Sequence, residues 1–135
     1  HYTHLTFALS GDDDKEAVSA AKGILASFPK IDINGFSAEQ KKEFADLESS
    51  ISEHAEHIAD NAGKIDHQRE HLDLMSADFY DLLKDFGTPK PVYKVFCPMY
   101  NDNKGAFWLS DSREVKNPYY GKEMLSCGEV QEEIK

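Results

Sequence analysis

The chain has little with which to build a covalently stapled or membrane-spanning protein. Two of its 135 residues are cysteines, so it can form one internal disulfide at most, and a chain of this length can bury a core without any. No apolar run approaches the roughly 20 residues needed to cross a bilayer. The opening stretch, HYTHLTFALSGDDD, has no basic segment followed by a long apolar one, so it holds no signal peptide, although a removed one would leave the same trace. Basic residues are scarce: 15 Lys and Arg stand against 25 Asp and Glu, a formal charge of −10. Nucleic-acid affinity comes largely from cationic side chains on phosphates, so nucleic acid is an unsuitable partner and anionic membrane surfaces are disfavoured. Enzyme signatures are missing as well: the chain has no G-x-S-x-G, P-loop, G-x-G-x-x-G, H-E-x-x-H or C-x-x-C. Carboxylates are too abundant for any pair of them to signal acid–base catalysis. The expectation is a protein that is not an enzyme.

What is present begins with helical periodicity. Tyr2, Leu5 and Leu9 share a helical face with no capping residue before it, which suggests a helix that starts further upstream. Asp12 or Asp13 can cap a second helix with the stripe Ala17/Val18, Ala21, Ile24/Leu25, Phe28, ended by Pro29 and Asn34-Gly35. Gly23 lies inside that pattern and needs a close neighbour to excuse it. Ser37-x-x-Gln40 reads as a capping box before Phe44, Leu47, Ile51, Ala55 and Ile58. A fourth helix carries Ile65, Leu72, Met75, Phe79, Leu82/Leu83 and Phe86, stopped by Gly87. Short breaks between long amphipathic segments predict an up-down four-helix bundle over residues 1–87. After Pro91 the period changes to two. Residues 92–96 and 106–109 read as a β-hairpin around Asn101–Gly105, Asn117–Gly121 as a turn, and Glu129–Ile134 as a short returning strand. The expected architecture is mainly α: a single domain, with the bundle followed by a small β-hairpin and irregular segment over 88–135.

That last segment holds both cysteines and two of the three methionines, as Cys97-x-Met99 and Met124-x-x-Cys127. Soft thiolate and thioether ligands select Cu(I), and zinc fits less well because no His lies in residues 92–130. Two other readings stay open. Cys97 and Cys127 can close a disulfide loop of 29 intervening residues, which in the chain-entropy model is worth roughly 3–4 kcal/mol. Or the thiols and methionines are inert core. Trp108, Tyr119 and Tyr120 read either as anchors for a partner protein or as filling beneath the hairpin. Four of the six histidines are also placed suggestively. With a helix turn near Gly63, His54 and His57 come level with His71 and His67, so a Zn(II), Ni(II) or Cu(II) site is geometrically allowed there; solvated surface histidines are the alternative.

Cys97-Pro98-Met99, the block Asn101-Asp102-Asn103-Lys104-Gly105-Ala106-Phe107-Trp108-Leu109-Ser110, Asn117-Pro118-Tyr119-Tyr120-Gly121, and Met124 with Cys127-Gly128-Glu129-Val130 together resemble a small bacterial domain-of-unknown-function family (family 3347). Its members occur alone or at the C-terminus of periplasmic adaptor proteins of copper/silver efflux pumps. The resemblance implies an exported protein, periplasmic or lipid-anchored through a removed N-terminal segment. It also implies heavy-metal binding, with Cys97, Met99, Met124 and Cys127 as candidate ligands and envelope efflux-pump or metal-handling proteins as partners.

Overall fold

The structure, a computed structural model, describes all 135 residues. It is mostly helical. Four helices, α1 (Tyr2–Ser10), α2 (Asp14–Ser27), α3 (Ala38–Ala59) and α4 (Ile65–Phe86), precede three strands, β1 (Val92–Cys97), β2 (Ala106–Ser110) and β3 (Glu129–Ile134). The start signals act as their chemistry predicts. The Asp13 carboxylate accepts the Glu16 N–H at 3.0 Å. Ser37 and Gln40 complete a reciprocal capping box, at 3.1 and 2.9 Å. Gly87, at φ +84°, ends α4. Gly23 has its close neighbour, but it is the His1 imidazole rather than another helix: a Cβ there would collide with that ring. No helix is long and apolar enough to cross a membrane.

Packing runs α1 on α2, α2 on α3 and α3 on α4. α1 has nine residues against 22 in α4, and at 1.5 Å per residue it is well under half as long. It meets α4 through Tyr2, whose ring lies 4.9 Å from Phe79 and whose hydroxyl sits 2.6 Å from Ser76 Oγ. Strand β2 packs against α4 as well. The expected hairpin is thus part of an antiparallel sheet, ordered β2-β1-β3, which leans on the helices. Buried side chains form one continuous cluster from Leu5, Leu9, Ile51 and Leu72 through to Val95, Cys97, Trp108 and Tyr119.

The two edges of the sheet are treated differently. On β2, the Leu109 N–H donates to Tyr2 Oη at 3.1 Å and the Phe107 carbonyl accepts from Tyr119 Oη at 2.6 Å. Tyrosine hydroxyls therefore take the place of a further strand. Burial of Tyr2 pushes its phenol up to about 12, so it stays a neutral donor and acceptor. β3 instead carries Glu129, Glu132 and Glu133 along its length.

Candidate functional site

β1 is the central strand, and its alternation turns Val95 and Cys97 to the interior, each fully buried. Cys97 pairs in register with Ala106, a small neighbour that leaves room beside the sulfur. Beyond Cys97 the chain reverses through a left-handed turn in which Asn101, Asp102 and Asn103 have φ of +57°, +54° and +65°. Asn and Asp adopt this region more readily than other L-residues, because their short side chains hydrogen-bond locally.

Cys127 arrives from the other side, on the loop before β3, and its position is set by Asn117. That side chain is fully buried and its bonding capacity is well used. Its Nδ2 donates to the Cys127 carbonyl at 2.7 Å, and its Oδ1 accepts the N–H groups of Tyr119 and Tyr120 at 2.7 and 3.0 Å. The Cys127 N–H closes a tight turn onto the Met124 carbonyl at 3.1 Å. The outcome is two unbonded thiols with Sγ atoms 2.9 Å apart. Burial, then the hydrogen bond to Cys97, push the Cys127 thiol up to about 11, while the Met99 N–H directed at it acts in the opposite sense. A thiol held protonated is a poor nucleophile, which applies to Cys127.

The remaining predicted residues fall into place unevenly. Tyr120 Oη donates to the Met99 carbonyl at 2.9 Å, and burial first, then the two thiols, raise its phenol above the usual value. Met99 and Met124 are tied to the thiol pair through their backbones, and Met99 as a residue is 47% exposed. Trp108 and Tyr119 are each only 2% exposed. Their rings meet with centroids 6.1 Å apart in a T-shaped contact inside the core, the arrangement of the filling alternative, while Tyr120 is half-buried.

Three of the four candidate histidines come together on the α3–α4 face. His54 Nδ1 and His71 Nδ1 are 3.1 Å apart, and the His57 ring stacks on His71 with centroids 4.6 Å apart and planes 2° from parallel. Burial, followed by the neighbouring His57 and His54, holds His71 below its usual value. His67 points elsewhere, to Glu70 Oε2 at 3.3 Å. No three His, Cys, Asp or Glu side chains converge on a single point as they stand.

Sequence reasoning missed the polar side chains buried along α4. Arg69 donates to the carbonyls of Pro118 and Leu9 at 2.7 and 2.8 Å and pairs with Asp12 at 2.8 Å. Asp12 in turn accepts the Lys122 N–H at 3.1 Å. Gly121, at φ +60°, is required there, because a Cβ would strike both the Asp12 carboxylate and the Arg69 guanidinium. Gln68 is fully buried too; its Nε2 donates to the Asp14 and Ile58 carbonyls, and its Oε1 has no protein partner. A signal for both residues existed: the apolar stripe of α4 skips from Ile65 to Leu72, leaving one turn of an inward face to Gln68 and Arg69.

Among known protein families, one described as "Protein of unknown function (DUF3347)" matches residues 1–90. The motifs from Cys97 to Val130 that carry the resemblance lie beyond the matched residues. No curated protein and no solved structure matches the chain.

Proposed function

Since the chain belongs to the DUF3347 family of proteins of unknown function, we propose a function from its own side chains: a non-enzymatic, exported protein that binds Cu(I). Cys97 and Cys127 supply the thiolates, and Met99 and Met124 are the candidate thioethers. The observation that carries the reading is the approach of two sulfurs 30 positions apart in sequence to 2.9 Å on a buried, hydrogen-bonded frame. Two sulfurs bound to one ion at about 2.3 Å each sit wider apart than this, so metal entry opens the pair by roughly an ångström. The Cys127 loop and the half-exposed Met99 turn are the parts that would give. Soft donors favour Cu(I) over zinc, and ligation must displace both thiol protons, so uptake strengthens as pH rises.

In this reading the protein resides in the periplasm or is otherwise exported, held by a lipid on a removed N-terminal segment or free. It sequesters copper or hands it to envelope efflux and metal-handling proteins. The test is anaerobic Cu(I) titration of the reduced chain against a competing chelator. One tight copper per chain, lost in Cys97→Ser and Cys127→Ser, supports the reading. No uptake by the reduced protein refutes it.

The same proximity favours a second reading, in which the two sulfurs form a disulfide and the protein is a stapled interaction module. Closing by under an ångström reaches bonding distance. A thiol count on protein isolated without reductant separates the two: no free thiol, together with no copper bound after reduction, favours the staple.

A further inference from the structure

The three imidazoles between α3 and α4 have no part in the thiol chemistry. They also have no structural partner except one another. They stand on stiff ground: Ile51, Ala55 and Ile58 of α3 and Leu72 and Met75 of α4, all fully buried, fix the two helices on either side of them. His54 and His57 share one face of α3 at i, i+3, and His71 faces them from the antiparallel helix.

We propose that His54, His57 and His71 form a binding site for a borderline divalent cation, Zn(II) or Cu(II), separate from the sulfur pair. The argument starts from the spacing. Two nitrogens bound to one ion at about 2.0–2.1 Å stand roughly 2.9 Å apart at a right angle and roughly 3.3 Å apart at a tetrahedral one. The observed Nδ1 to Nδ1 distance of 3.1 Å falls between these. The two nitrogens therefore already have the separation of one edge of a coordination polyhedron, and an ion bound to both would sit to one side of the line along which they now hydrogen-bond. His57 is exposed and stacked on His71. A rotation of its ring about the side-chain torsions brings a third nitrogen to the same ion, and water completes the set. His67 is not a ligand, being engaged with Glu70 and 59% exposed. Imidazole suits Zn(II), Cu(II) and Ni(II), whereas thiolate and thioether suit Cu(I), so the two sites differ in the ions they take.

Cobalt(II) is the probe, titrated into the reduced full-length chain without oxygen. Ligation by imidazole gives visible d–d absorption without the sulfur-to-cobalt charge-transfer band that thiolate ligation produces, so the spectrum reports which site fills. The expected result is one Co(II) per chain with no sulfur band. His71→Gln and His54→Gln should each weaken it by roughly 100-fold, the upper end of what loss of even an outer-sphere partner does. His67→Gln should leave it unchanged. His54→Gln, at a half-exposed position, decides the matter should His71→Gln fail to give the parent circular dichroism spectrum. Absence of uptake, a thiolate band at the first equivalent, or affinity indifferent to His54→Gln overturns the proposal. Failure of the sulfur site to bind Cu(I) leaves these outcomes untouched.

Discussion

Asn117 shows how much one carboxamide can organise. Its fully buried side chain makes three hydrogen bonds, and they join the turn at Tyr119-Tyr120 to the backbone of Cys127. Asn117→Ala would strand two N–H groups and a carbonyl, so it should destabilise the protein by about 3 kcal/mol, near 1 kcal/mol for each lost bond. Urea unfolding measures that loss. The rate at which a thiol reagent modifies Cys127 should rise in the same variant, because the loop that carries the sulfur is then free to open. Arg69 has comparable reach. Arg69→Met leaves the Pro118 carbonyl without its donor and takes one of two donors from the Leu9 carbonyl and the Asp12 carboxylate, and should cost about 3 kcal/mol for the three bonds. Asp12 adds a pH dependence. Hydrogen bonds from Arg69, then from the Lys122 N–H, hold its carboxyl below the ordinary 3.8. A depressed folded value means that the stabilisation is complete above the unfolded value and is lost as pH falls through the folded one. Stability measured between pH 5 and pH 2 should therefore fall less steeply in Asp12→Asn than in the parent. The carboxylate is 40% exposed, so solvent screening keeps that difference small.

At the level of elements, the left-handed turn between β1 and β2 makes the sharpest prediction. Asp102 at φ +54° and ψ +43° tolerates glycine but not a β-branched side chain. Asp102→Val should cost about 1–2 kcal/mol, whereas Asp102→Gly should stay within a few tenths of the parent; thermal melts of the two variants distinguish turn strain from loss of the carboxylate. The same comparison bears on what the sequence could reveal. A helix start at Asp12 or Asp13 and another at Ser37, the stop at Gly87, and strands over 92–96, 106–109 and 129–134 were readable to within a residue, since each rests on short-range chemistry. The approach of Cys97 to Cys127 and of His54 to His71 was readable as an option, through turn position and antiparallel pairing. The partners of Arg69 and Gln68 were not, because a polar residue is assigned to solvent unless its distant partners are known, and theirs lie up to 60 positions away. Trp108 and Tyr119 were ambiguous for the opposite reason: an aromatic ring suits a core and an interface equally well.

For the whole molecule, the helices and the sheet depend on each other. Residues 1–90, which match the family, include α1 and α4 but none of the sheet that covers them. Tyr2 would lose the Leu109 N–H, and Arg69 would lose the Pro118 carbonyl. A fragment ending at residue 90 should remain helical by far-ultraviolet circular dichroism yet lose the sharp, single unfolding transition of the full chain, as expected where packing is lost but helices persist. A fragment that melts as sharply as the full chain would show that the helices need no sheet.

The tyrosine-sealed margin of β2 also limits how copies of this chain can assemble. Strand addition requires a free edge, and an endless ribbon requires two on every molecule. Tyr2 and Tyr119 occupy one, which leaves β3 as the single open margin. Two chains could join there back to back, β3 against β3, and the sheet would then have no further place to grow. Of the glutamates on β3, Glu132 and Glu133 are already paired with Lys84 and Arg113, which leaves Glu129 as the free carboxylate on that strand. Edge-to-edge polymerisation thus stops at a pair.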